Sequence, residues 1–470
     1  MSSAHGQNAL QGLEAYCHHD HHYHDGDRFG RLFPDLAPLF TDPRALERLG
    51  AHGGPMDDGN ANTRSQTVAV GHVFFGQFVD HDVTLDVSSS LDAVNDPTET
   101  RNVRTPTLDL DCIYGPGPEA APYLYHQGGD FQGAKLITGA DFGIGPHAAD
   151  DLMRIGQLAV IGDARNDENR VISQIQLAMI RFHNKMCDQV RADQGTSGHD
   201  LFEEARRLTM WHYQWCVVHD FLAQICGEGA ITRILTEGRR YYRPKTPFIP
   251  VEFSVAGYRF GHSMVPMKIQ VQQGDPAFEL FGAVLGRGFD PVTDPRAVVD
   301  MHELFDTYEG RNVARSGRVD GLMASDLLRL PVRVDANRMS LATRNMVRGQ
   351  SFLLPAGETV ARSMGRPEAE IEQISDAARL AEAGLAGGTP LWFYLLKEAE
   401  LIGRENLDGT RMPGEGLGPV GATIVGETII GLIELDPRSW LGANRNWRPM
   451  QRDDQPGVEI STVGHMVTYG

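Results

Sequence analysis

Phe74–Asp82 reads FFGQFVDHD, an apolar run into which an amide, two carboxylates and an imidazole are set. The helical spacing of its apolar residues predicts a helix over 73–87. On that helix Gln77, Asp80 and His81 stand at i, i+3 and i+4 and share one face. His81 is then a base with a carboxylate and an amide beside it. Asp82 lies one step, about 100°, further round and must meet a different environment. A lone histidine on a helix is more often an ordinary core or surface residue than a catalyst, so this stretch takes its meaning from its companions.

Four companions follow in order along the chain. Residues 105–115, TPTLDLDCIYG, offer oxygens from Thr105, Asp109 and Asp111 at alternating positions, which an extended loop turns to one side. Hard oxygens of this kind suit calcium, although the glycine and final glutamate of an EF-hand loop are missing. Residues 162–169, GDARNDEN, open a long amphipathic run over 171–191. If the helix already includes them, Arg165 and Glu168 share a face, and the simplest alternative is a surface ion pair. Residues 257–266, GYRFGHSMVP, place Arg259 three positions before His262, and residues 344–349, RNMVRG, set Asn345 and Arg348 at i and i+3. Other helices are expected over 201–226, ending near Gly227, and over 251–264, 366–383, 390–401 and 421–435, with Pro and Gly punctuating the gaps. β signals are short and weak. The expected class is mainly α with long loops and little β.

Composition narrows the partners. Forty-three basic against 62 acidic residues give −19, which disfavours nucleic acid and anionic membranes, since both reward a basic face. No apolar run approaches the roughly 18 residues of a transmembrane helix. The first residues carry neither a basic start nor an apolar segment, so a Sec-type signal is not expected, and the compartment reads as cytoplasmic or reached by non-classical export. Five cysteines (Cys17, Cys112, Cys187, Cys216 and Cys226), with no CxxC pair, argue against a disulfide framework. His18, His19, His21, His22 and His24 could bind a transition metal, but read more simply as a solvated polar arm. The expected organisation is an irregular arm over 1–30, one catalytic domain over 31–450, and a tail over 451–470. The sequence specifies no oligomeric state.

Taken together, in this order and spacing, the five segments resemble the peroxidase–cyclooxygenase superfamily, the animal-type haem peroxidases, in a compact bacterial-style form. The resemblance runs from about Arg28 to about Leu441. It implies a mainly α fold with haem between a distal and a proximal helix. It also implies reduction of hydrogen peroxide and oxidation of a small donor, a halide, thiocyanate or a phenolic compound, through a ferryl intermediate.

Position by position, the resemblance makes His81 the distal base, Arg165 the distal arginine, and Gln77 the residue that holds water, peroxide or a halide beside the iron. It makes His262 the iron ligand, with Asn345 accepting a hydrogen bond from its second nitrogen. Arg259 pairs with a haem propionate, and Arg348 lies near the same edge. Asp80 and Glu168 occupy the positions of two possible ester links to haem b. Asn169 stands where the leukocyte enzyme has a methionine, so a third, sulfonium link is ruled out and efficient chloride oxidation is in doubt. Asp82, Thr105, Thr107, Asp109 and Asp111 correspond to a calcium site, with Thr107 ligating through its carbonyl. The nearest rival is a fatty-acid dioxygenase of the same superfamily, but its radical-forming tyrosine position is Arg259 here, and Tyr258 is out of register by one. A non-catalytic calcium-stabilised binding protein is the rival from another class, and the intact His81, Arg165 and His262 set argues against it.

Overall fold

The computed structural model describes residues 28–470 apart from 60, 62, 144 and 331–338. The histidine tract and Cys17 lie outside the described residues. Helices dominate. Strand pairing among the described residues is confined to two-stranded pieces, the longest strand being Arg64–Ala69, which is antiparallel to Arg315–Gly317.

The helix Gly71–Val83 is shorter than the expected 73–87. Thr84 is extended, and its hydroxyl bonds the Asp80 carbonyl and carboxylate at 3.1 and 2.9 Å. This helix packs against Arg170–Gln194, which in turn lies along Gly198–Cys216. Arg170–Gln194 begins where Asn169 accepts from the Ile172 amide at 3.0 Å and stops at Gly195, whose φ of 68° suits glycine. The expected 201–226 helix is one path with a π-helical turn at Val217–Phe221. The segment expected as a short helix over 251–264 is instead a π turn, a tight turn at Gly257–Phe260 and a single α turn at Gly261–Met264.

Pro419–Leu435 is buried over most of its surface, as an apolar helix without a polar face must be. It packs on Leu391–Leu401 and Glu228–Glu237. Glu368–Ala381 completes that side. The sequence reading passed over Pro43–Gly50 and Leu341–Ser351, which pack on each other.

Two domain boundaries need correcting. Phe29 and Gly30, placed in the arm, pair in parallel with Ile249 and Pro250. Residues 451–470 are not a loose tail. Val463–Val467 forms a helix against Arg170–Gln194 and Gly198–Cys216, and Val463, Met466, Val467 and Tyr469 are buried there. The apolar surface these residues cover would otherwise face water. No helix among the described residues is long and apolar enough to cross a membrane, and the four described cysteines are free and buried.

Candidate active site

Ten of the thirteen residues of Gly71–Val83 are buried, and the other three are Val73, Gln77 and Asp80. These fall at i, i+4 and i+7, so one narrow face of an otherwise enclosed helix opens to a cleft. His81 stands beside that face, only 6% exposed. Burial, followed by the charge of Arg165, lowers its pKa to about 4, so the ring is a neutral base at physiological pH. Its Nδ1 lies 2.7 Å from Asn166 Oδ1. Among the described residues Nε2 makes no hydrogen bond.

The segment 162–169 does not open the long helix as expected. Ala164–Asp167 is a 3₁₀ turn capped by Asp163, and the α-helix starts only after Asn169. Arg165 and Glu168 keep a common side because residues three apart eclipse in a 3₁₀ turn. Asn169, the residue that stands in for the methionine, spends its side chain on the helix cap. Phe289 donates from its amide to the Asp167 carbonyl at 2.8 Å, Arg170 donates to the Leu285 carbonyl at 3.0 Å, and a side chain at Gly288 would collide with the Glu168 carbonyl. The turn carrying Arg165 is therefore clamped from outside.

Arg165 is aimed by Asp163, with a 2.7 Å contact from Nη2, and donates to the His81 carbonyl at 3.0 Å. Asp163 also receives Arg104. Burial works against the ionised Asp163, but the hydrogen bond and charge of Arg165, with Arg104 behind them, hold its pKa well below the usual carboxylate range. Gln77 differs from the expectation that it is free to hold peroxide, since its amide donates to Glu168 Oε1. Burial raises the Glu168 pKa, with Arg165 and Gln77 opposing, and Asp80 takes the Thr84 hydroxyl.

On the other wall, Arg259, Gly261 and His262 are partly exposed, and a Cβ on Gly261 would meet nothing within 4 Å. The helix Gly261–Met264 touches Gly71–Val83, and the charge of Asp80 reaches both His81 and Arg259. Burial, then Arg259 and Arg344, pushes the His262 pKa down to about 3, leaving a neutral ring. Its Nδ1 is 2.7 Å from Asn345 Nδ2, and its Nε2 makes no hydrogen bond among the described residues.

The pairing of His262 with Asn345 is thus as expected but its polarity is reversed. Arg259, which can only donate, bonds Asn345 Oδ1 at 2.8 Å and the Ser254 carbonyl at 3.0 Å, so the amide turns its NH₂ toward His262 rather than its oxygen. Arg348 bonds Ser89 and lies 3.9 Å from Asp86. Tyr258 is buried with its ring 4.8 Å from Phe253, and the charge of Asp80 reaches it as well.

Asp82 turns from the cleft to Asp109 and Asp111, and oxygens of the three carboxylates lie within 4.8 Å of one another. All three are buried, and neither Asp82 oxygen nor the Thr107 hydroxyl has a well-formed hydrogen bond. Burial, then Asp111 and Asp109, drives the Asp82 pKa well above the ordinary range. Thr105 donates to Asp111 at 3.3 Å, and Arg104 reaches Asp111 at 3.2 Å. Leu110, at φ 60°, makes the sharp turn that brings Asp111 back as the first residue of Asp111–Tyr114. The expected simple alternation therefore ends at Asp109, and the convergence comes from this turn. The unpartnered Asp82 oxygens beside two further buried carboxylates fit a divalent cation such as calcium.

The sequence reading missed Asp163, Arg104, Asn166 and Gln176. Asp163 had a signal, as an Asx cap directly before a polar turn. The others are partners over long separations and left none.

Residues 86–379 match the family model described as animal haem peroxidase. That span holds Arg165, His262, Asn345 and the acidic loop, and starts just after Asp82. Dual oxidase 1 of Caenorhabditis elegans is 29% identical over 185 residues, covering 37% of this chain and 12% of that protein. The chain thus spans only about an eighth of this relative's length. Among solved structures, peroxidase A from Dictyostelium discoideum aligns with a TM-score of 0.60 at 16% identity, covering 88% of each chain. Fatty acid alpha-dioxygenase from Arabidopsis thaliana aligns at 0.59 and 15%, covering 89% of this chain and 74% of that one.

The Asp163 geometry yields a stability prediction. Replacing Asp163 with Asn leaves buried Arg104 only Asp111 of its two carboxylate partners and releases Arg165, and should cost about 2–3 kcal/mol at pH 7. Because the folded-state pKa of Asp163 is depressed, its contribution is present above the unfolded value near 4 and is lost as pH falls further. Urea titrations of wild type and Asp163→Asn should therefore show a gap that is constant from pH 7 to about 5 and closes in acid. Equal stability at pH 7 would contradict the assignment.

Proposed function

Because the chain belongs to the animal haem peroxidase family, we propose that it binds one haem b through His262, reduces hydrogen peroxide, and oxidises a small donor. The observation that carries this reading is a pair of neutral imidazoles on touching segments. Each has Nδ1 tied by an asparagine at 2.7 Å and Nε2 without a hydrogen bond. The haem, when bound, supplies the redox-active iron at which peroxide is cleaved and from which the donor is oxidised.

The chain's residues do the rest. His262 Nε2 is the proximal ligand. For it to bind iron with a proton on Nδ1, Asn345 must turn its oxygen to the ring, which frees Arg259 for a propionate, with Arg348 near the same edge. On the distal side His81 Nε2 takes the proton from the attacking peroxide oxygen and returns it to the departing one, which leaves as water. Arg165, held by Asp163, presents fixed positive charge where the O–O bond breaks. Gln77 exchanges its bond to Glu168 for peroxide, water or a halide. Asp80 and Glu168, both at the cleft, are the candidates for ester links to haem methyls. Asn169 is committed to a helix cap and forms none.

The donor class is halide or thiocyanate, iodide or bromide rather than chloride, or a phenolic or aromatic compound. The dioxygenase neighbour shares the fold, but Tyr258 is packed among Phe253, Phe260 and Phe221, and Arg259 stands at the position where the radical-forming tyrosine is expected. A calcium ion at Asp82, Thr105, Thr107, Asp109 and Asp111 is part of the same proposal and anchors the helix that carries His81.

Two outcomes test these assignments. After haem supplementation, His262→Ala should lose most of its Soret absorption, whereas His81→Ala should keep it and react with peroxide at least about 10²-fold more slowly in stopped flow. An unchanged spectrum in the first variant, or wild-type speed in the second, would overturn the respective role. Elemental analysis of purified protein should find about one calcium per chain, and Asp109→Ala should lose the ion and lower the melting temperature. Metal-free protein with full stability would rule the site out.

A further inference from the structure

The buried hydrogen-bond chain behind His81 has a direction that can be deduced from its far end. The Cys112 carbonyl can only accept. Gln176 meets it with Nε2 at 3.2 Å, which turns Gln176 Oε1 toward Asn166. Asn166 must then answer with its own NH₂, and does so at 2.8 Å, leaving Oδ1 to face His81 Nδ1 at 2.7 Å. An oxygen there requires that Nδ1 carry the proton. Nε2 is then the lone pair, and it is the nitrogen without a protein partner.

Reversing any one amide would set two oxygens face to face at hydrogen-bond distance. Asn166, Gln176 and Cys112 are all fully buried, so bulk solvent cannot relieve such a clash, and the penalty falls on an unsatisfied polar pair. The proximal asparagine shows the same logic with the opposite sign. There the chain begins at Arg259, which can only donate, and Asn345 consequently presents NH₂ to its histidine. The terminal group of each chain, not the asparagine itself, decides which face of the amide the imidazole meets.

We propose that Asn166, oriented by Gln176 and the Cys112 carbonyl, is a positioning residue that fixes His81 as the Nδ1–H tautomer and thereby makes Nε2 the proton acceptor for peroxide. This rests on reading His81 as the distal base. Neither Asn166 nor Gln176 needs to touch peroxide. Gln176 acts through two intervening hydrogen bonds, from the second turn of the helix that Asn169 caps. In proton terms, peroxide's proton moves to Nε2, the ring is transiently doubly protonated with its Nδ1–H held by Asn166, and the same Nε2 proton leaves to the departing oxygen. A ring in the other tautomer has its proton already on Nε2 and cannot begin.

The test uses haem-loaded protein with ¹⁵N-labelled histidine, as the diamagnetic ferrous carbon monoxide complex. The His81 ring signals are assigned by their loss in His81→Gln. Wild type should show a protonated Nδ1 and a bare Nε2. Gln176→Leu, which leaves Asn166 free to turn, should shift these signals toward a mixture of tautomers. It should also lower the bound carbon monoxide stretching frequency, since an Nε2–H now donates to it, and should slow reaction with peroxide by about tenfold. Asn166→Leu should do the same more strongly, and Asn166→Asp, which keeps an acceptor at Nδ1 but sets its other oxygen against Gln176 Oε1, should retain the wild-type tautomer at a cost in stability. A wild-type ring protonated on Nε2, or an unchanged tautomer and rate in both leucine variants, would overturn the proposal. The wild-type spectrum alone decides it if the variants do not fold. His81→Gln reacting with peroxide at full speed would instead refute the role of His81 itself.

Discussion

Three carboxylates converge in a dry interior at Asp82, Asp109 and Asp111, and that arrangement is stable only with positive charge among them. Arg104 supplies part of it, bonding Asp111 and Asp163 together. Asp163 passes the constraint on by aiming Arg165, and Arg165 returns it to the His81 backbone. A closed electrostatic circuit therefore joins one side of the helix Gly71–Val83 to the other. Its lower half is the proposed cation site at Asp82, and its upper half is His81 and Arg165, the proposed distal pair. Since Asp82 and His81 are consecutive, any shift that relieves the carboxylates also moves the base. The proposed calcium ion thus acts on the cleft mechanically, through the register of one rigid helix.

The helix and its chemistry were legible because they are local. Gln77, Asp80 and His81 share a face in the structure as their spacing requires, and Asp82 leaves it. The long helices were found within a few residues, since amphipathic periodicity over many turns is hard to mistake. The errors arose where short-range geometry departs from an ideal α-helix. The 3₁₀ turn at Ala164–Asp167 and the π turn at Glu252–Ala256 are too short to show a period, so the sequence could not say how Arg165 or Arg259 would be aimed. Asn166 lies in full view between two residues that were singled out, yet its importance rests on Gln176 and the Cys112 carbonyl, and no local pattern announces such contacts. Residues 451–470 were misread because a short helix at a chain end looks like a tail until its burial is known.

The fold by itself leaves the reaction open, as its likeness to both a peroxidase and a fatty acid alpha-dioxygenase makes plain. Function is argued from the site. On the proposed reading, a guanidinium at position 259 takes the place of the radical-forming tyrosine, and Tyr258 is packed among aromatic rings. A neutral distal imidazole with one polarised nitrogen and one bare nitrogen is suited instead to shuttling a proton between two oxygens. Both asparagines fit that proposed division of labour. One presents an acceptor to its histidine, and the other is held in the opposite sense by an arginine that a propionate can draw away.

The most direct measurement is the position of the iron in crystals of the haem-loaded protein, located by anomalous scattering at the iron edge. The expected result is one iron bonded to His262 Nε2, with His81 Nε2 over the opposite face of the porphyrin and Asn345 turned so that its oxygen meets the His262 ring. Iron ligated by any other residue, or a porphyrin lying outside the cleft between Gly71–Val83 and Gly261–Met264, would contradict the assignment.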